Sequence, residues 1–167
     1  GYNTGTITNS HYNIDNVLIN SANIVTPGGI YDSQYQDWIA DKALNIADYS
    51  ATLSLNTGYY EISTVQGMKD LLGFADNSSC KFRLTADIDL TGAPELYITY
   101  LAAIEFDGSN HIISNLYVDQ PFNNYIGMFG RVKGGSAVNN LGLENIYLTG
   151  RDYVGGLVGY NNGDITN

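Results

Sequence analysis

The 167 residues carry 17 Asp and Glu against 7 Lys and Arg, a formal net charge of −10, on a length that can enclose one hydrophobic core. That balance excludes an electrostatic footprint for nucleic acid and attraction to an anionic bilayer, and no run of ~18 apolar residues exists to insert into one. The single cysteine, Cys80, excludes an internal disulfide; it reads as a small buried hydrophobe, and the only histidines that could activate it are His11 and His111. No secretory leader is read, as expected of an internal fragment.

Along the chain, residues 1–9 (GYNTGTITN) nearly repeat residues 159–167 (GYNNGDITN), with seven of nine positions identical at a spacing of 158. This is the signature of one unit plus an overlap from a tandem array, so residues 1–9 read as the end of a preceding coil. Residues 10–58 read as an insertion or side subdomain. Strands are expected over 16–19 and 23–26, then a turn at Pro27-Gly28-Gly29 and a short helix over 34–41 carrying Trp38. Two more strands follow over 51–55 and 59–62, joined near Asn56-Thr57-Gly58. Residues 63–76 predict a helix capped by Ser63, with Gln66 completing a capping box and Val65, Met68, Leu72 and Ala75 on one face. Gly67 and Gly73 oppose it. Residues 81–90 alternate cleanly, with Phe82, Leu84, Ala86, Ile88 and Leu90 facing inward, which is the pattern of a half-buried strand.

Beyond residue 100, short apolar runs alternate with Gly, Asn and Asp. Gly127-Met128-Phe129-Gly130 aligns with Gly156-Leu157-Val158-Gly159 at a spacing of 29, and Asn115-Leu116-Tyr117-Val118 with Asn140-Leu141-Gly142-Leu143 at 25. Periods of this size point to a β-solenoid, whose coils bury their inner faces only by stacking. Glycine would supply positive φ at the corners and close approach between coils; asparagine tolerates the left-handed region as well. A β-sandwich with Gly- and Asn-rich turns is the other fold this texture allows.

Gly155-Gly156-Leu157-Val158-Gly159, followed by Asn161, Gly163 and Ile165, resembles the bacterial GLUG motif. Residues 82–90 (FRLTADIDL), 105–118 (EFDGSNHIISNLYV) and 126–130 (IGMFG) resemble the region that commonly precedes it. The resemblance covers about residues 59–167 and the first nine, but not 10–58. It implies a mainly β chain folded as a right-handed parallel β-helix, to which the residue patterns add one or two short helices and an N-terminal insertion. Gly127, Gly130, Gly155, Gly156, Gly159 and Gly163 would be its structural glycines. It further implies a non-catalytic segment of a large adhesin-like protein, secreted or on the bacterial surface, acting in attachment or biofilm with neighbouring repeats as partners. The family brings no catalytic site.

Asp87, Asp89, Glu105 and Asp107 are the candidate metal ligands. Outward carboxylates at i and i+2 on a strand can hold calcium through oxygens at ~2.3–2.6 Å. They can equally solvate a strand face, and at Asp107-Gly108 favour a turn. A glycosidase would need two of them ~5–10 Å apart across a cleft. His111 lies near Asp107 in sequence, but a lone histidine on a turn is usually structural, and no nucleophile elbow or phosphate loop is present. The 14 tyrosines with abundant Asn suit glycan or cell-surface recognition by stacking and hydrogen bonding, although Tyr is also a good strand residue.

Overall fold

The computed structural model describes residues 9–167, so the expectation for residues 1–8 lies outside the described residues. The chain is mainly β. Strands β1 (Tyr12–Asn13) and β2 (Gly29–Ile30) form a short parallel pair. Helix α1 (Asp32–Asp41) and a 3-10 turn (Ile46–Tyr49) lead to an antiparallel hairpin of β3 (Ser54–Asn56) and β4 (Tyr59–Ile62). Helix α2 (Val65–Leu71) precedes β5 (Lys81–Leu84) and β6 (Ile88–Asp89). Then come β7 (Glu105–Asp107), β8 (Ile112–Ser114), β9 (Tyr117–Asp119) and β10 (Phe129–Val132). The last five are β11 (Ala137–Asn139), β12 (Gly142–Glu144), β13 (Tyr147–Thr149), β14 (Val158–Asn161) and β15 (Asp164–Thr166).

From β4 onward every strand pairing is parallel. A six-stranded sheet runs β15-β11-β7-β5-β4-β3, beside β12-β8-β6 and the two-stranded sheets β13-β9 and β10-β14. Phe129 faces Val158, which is the 29-residue register of the two glycine-bounded motifs. The 25-residue alignment is corrected: Tyr117 faces Tyr147 and Ile112 faces Gly142, both 30 residues apart. The slip has a physical origin. Two successive layers each turn two corners on an Asn with positive φ, Asn110 and Asn115 in one and Asn140 and Asn145 in the next, at 64°, 58°, 52° and 51°. The same corner residue recurs twice per layer, so one corner can be matched to the other.

The motif glycines do not supply positive φ, since among the described glycines only Gly28, Gly58 and Gly135 adopt it. They permit close approach instead. A Cβ at Gly130 would lie 2.6 Å from the Tyr125 carbonyl, and one at Gly159 2.6 Å from that of Tyr153. Gly108 behaves likewise: its Cβ would sit 2.5 Å from the Asn140 carbonyl and the Leu141 Cα, while Ser109 and Asn110 carry the turn's positive φ.

Residues 81–90 alternate inward and outward as expected, with Phe82, Leu84, Ile88 and Leu90 buried. They form two strands, however, because the backbone bends between β5 and β6 and delivers them to different sheets. The helix expected over 63–76 is shorter. Thr64, not Ser63, caps it by accepting the Gly67 N–H at 3.1 Å, and Gln66 bonds Asp70 rather than closing a capping box. Gly67 and Gly73 admit neighbours from residues 10–58: a Cβ would lie 2.8 Å from the Thr52 carbonyl and 2.9 Å from Gln34 Nε2.

Strands over 16–19 and 23–26 do not form. Asn20 and Ser21 take positive φ (52° and 67°) and reverse the chain at once, leaving an isolated bridge between Ile19 and Ala22. Helix α1 matches the expected helix, starting two residues earlier, where Asp15 accepts the Asp32 N–H at 2.9 Å. The hairpin turn at Thr57-Gly58 has both φ values positive (49° and 84°), the arrangement that suits right-twisted strands.

The core is a set of columns. In the six-stranded sheet, register aligns Leu55, Tyr60, Phe82, Phe106, Val138 and Ile165. Phe82 and Phe106 are fully buried, whereas Leu55 and Ile165 at the two ends are 64% and 40% exposed. Neighbouring columns behave alike: Val118 and Phe129 are sealed, while Leu148 and Val158 above them are only half-buried.

Candidate functional site

The four acidic candidates fall on two sheets. Asp87 and Asp89 lie at β6, and Glu105 and Asp107 on β7. Each is engaged by protein donors. Asp87 accepts the Ile112 N–H at 3.0 Å and lies 3.0 Å from His111 Nδ1, so His111 pairs with Asp87 rather than with its sequence neighbour Asp107. Asp89 accepts from the Thr91 N–H and hydroxyl and from Asn115 Nδ2, and these bonds pull its carboxyl down to about 2. Burial pushes Glu105 up, but bonds from Tyr59 (2.8 Å), Lys81 (3.2 Å) and Asn139 (2.9 Å) outweigh it and hold the group below the usual carboxylate range. Asp107 is likewise raised by burial and brought lower by Asn140 and Ser109. Among the described residues, no group of three or more His, Cys, Asp or Glu side chains is placed to hold a metal ion. What these carboxylates do here is tie adjacent strands: Glu105 links β4, β5 and β11 across β7.

Cys80 is buried, and burial raises its thiol above the usual range, as the sequence reading has it.

The tyrosines form two stacked pairs. Tyr117 and Tyr147, facing each other on β9 and β13, stack at 5.0 Å and 10°, with 46% and 53% of each exposed. Desolvation, then the nearby Asp119, raises the Tyr117 hydroxyl. Tyr125 and Tyr153 stack at 4.9 Å and 7°, and Tyr160 on β14 stands edge-on to both, at 5.8 and 5.5 Å. The Arg131 guanidinium lies 3.8 Å from the Tyr125 ring centroid, and Arg131 faces Tyr160 across the β10–β14 pair. Tyr125 and Tyr153 hold φ of 65° and 58°, a region that costs a non-glycine residue ~1–2 kcal/mol. Sequence reading named these tyrosines as a class; it missed Arg131, for which only its place two residues before Lys133 on an outward face gave a signal.

The end of the molecule bearing β12 to β15 is open. A cleft of about 510 Å³ there is lined by Val138, Asn140, Leu141, Leu157 and Ile165 among others. The opposite end of the six-stranded sheet finishes in β3, whose Leu55 is 64% exposed, and the N-terminal Ile14, Val25, Tyr49 and Leu53 join Met68, Leu71 and Phe74 of the α2 region in the core.

No protein-family model matches the chain, and no solved structure matches it. The chain is similar to halomucin of Haloquadratum walsbyi, at 30% identity over 127 residues, or 65% of this chain. Those residues span about 1% of that protein's length.

Proposed function

We propose that the chain is a tandem-repeat module of an extracellular adhesin-like protein of the GLUG type. Its units stack into one right-handed parallel β-solenoid, and their role is mechanical: a stiff, non-catalytic extender. The observation that carries this reading is the contrast along each core column. Side chains sealed in the middle layers are half-exposed in the last, and the strands there present unpaired edges that a further layer of the same register would cover. The near-identity of residues 1–9 and 159–167 supplies a sequence able to continue such a stack. The likeness to halomucin, of which this much sequence is a hundredth part, supports a segment of a very long chain.

The test is small-angle X-ray scattering of a two-unit protein made by joining residues 10–167 to a first copy of 1–167. Five parallel layers per unit at ~4.8 Å should lengthen the particle by about 24 Å at unchanged cross-section. Scattering from two bodies on a flexible tether would overturn the proposal.

A further inference from the structure

We propose that Tyr125, Tyr153, Tyr160 and Arg131 form a binding site for an acidic polysaccharide, recognising a uronic acid residue. Three observations converge here. The parallel faces of Tyr125 and Tyr153 with the perpendicular Tyr160 make an aromatic corner, and Tyr153 and Tyr160 are 53% and 40% exposed. Apolar C–H faces of a pyranose pack on such rings. Both stacked tyrosines hold the left-handed backbone that asparagine carries at other corners, such as Asn115 and Asn145, so an aromatic side chain is kept there at a conformational cost. Arg131 is the charge that selects the ligand. Of the seven cationic side chains, Lys81, Arg83 and Arg151 are paired with carboxylates and Lys42 and Lys69 each lie over a single ring, whereas Arg131, also without a carboxylate among the described residues, is the one beside a cluster of three rings, with Lys133 as its outward neighbour. In a chain of net charge −10, an exposed arginine left without a carboxylate, beside three aromatic rings, is complementary to a sugar carboxylate, which its planar fork can hold through two N–H donors.

The Tyr117–Tyr147 pair provides an internal control. It has the same stacking but lies beside Asp119, and Glu95 adds to the negative field around Tyr117. It should reject an anionic ligand. The site depends on local geometry and not on the stacking of units, so it can fail without the extender reading failing.

The experiment is an NMR titration of the whole chain with a hexamer of a 1,4-linked uronic acid and, separately, with the neutral hexose hexamer. The uronate should shift amide signals of residues 125, 131, 153 and 160, and Arg131→Gln and Tyr160→Ala should each weaken it about tenfold. Both positions are exposed, so dispersion of the remaining spectrum verifies that the variants fold. Tyr147→Ala should leave binding unchanged. Equal binding of the neutral hexamer, an unaltered affinity in Arg131→Gln, or no shift at these residues up to about 10 mM ligand would each overturn the proposal.

Discussion

Residues 10–58 and residues 59–167 are held together in different ways. In the first, each contact occurs once. Gln34 donates to the Asp70 carbonyl at 2.7 Å, Thr52 donates to the Asp70 carboxylate at 2.6 Å, and Tyr49 donates to Asp37 at 2.7 Å. In the second, the same contact recurs layer upon layer: aromatic or aliphatic over aliphatic in the core, Tyr over Tyr outside, Asn over Asn at the corners. The difference teaches how such a fold is ended and how it is continued. One end of the sheet finishes in an antiparallel hairpin beside unlike elements, while the other finishes in strands that repeat those beneath them.

That contrast can be pressed hardest within one column. Phe106→Ala should cost ~3–5 kcal/mol in urea unfolding, because Phe106 is sealed and meets Phe129 at 5.1 Å. Ile165→Ala, at the open end of the same column, should cost under about 1.5 kcal/mol in the single unit. Its cost should rise when a second unit follows. Equal costs in the single unit would dissolve the distinction between middle and end. Next comes close approach. Gly159→Ala places a Cβ 2.6 Å from the Tyr153 carbonyl and should cost ~3 kcal/mol, whereas Gly134→Ala, whose nearest neighbour is 3.5 Å away, should be close to neutral. Thermal melts of the two variants would show whether backbone proximity sets the need for glycine at Gly159.

The once-only contacts predict a local effect. Asp70→Ala leaves the Thr52 hydroxyl and Gln66 amide without their partner and should cost ~2 kcal/mol, with faster proteolysis confined to residues 10–58. Cleavage spreading into β7–β15 would mean the two regions unfold as one. At the corners, Asn145→Ala should cost ~1 kcal/mol and Asn145→Gly much less, since φ there is 51°. The smallest effect is in acid. Asp87, Asp89, Glu105 and Asp107 all have folded-state values below their unfolded ones. Their stabilisation is therefore complete above about pH 5 and is lost as pH falls through the folded values, toward about 2 for Asp89. The melting temperature should fall over that window, and Asp89→Asn should flatten part of the slope.

Much of the stacked region was legible because its signals are local. The alternation at residues 81–90 names the buried face regardless of the corner between β5 and β6, and the paired glycine motifs give the β10–β14 register. The 25-residue alignment misled because asparagine marks two corners per layer, and spacing alone cannot say which is above which. Residues 16–26 misled for a related reason: the apolar runs were read as strands without weighing the turn formers Asn20 and Ser21 between them, which take positive φ. The tyrosine surface was legible as composition. That Tyr125, Tyr153 and Tyr160 meet, and that Arg131 joins them, follows only from the stacking register, 28 residues at the Tyr125–Tyr153 corner and 29 along β10 and β14. The four acids were legible as outward-facing but not as strand ties, because the donors on other strands and corners lie 24 to 46 residues away.

The central claim, that the end bearing β12 to β15 is built to be covered by the next unit, is tested most directly by hydrogen exchange. Amides of residues 142–166 would be followed in the single unit and in the first copy of the two-unit protein. Marked slowing of outward amides in β12 to β15 of that first copy, with no change in β5 and β7, is the predicted result. Identical exchange in both proteins would contradict the account, leaving an open end that nothing of its own kind covers.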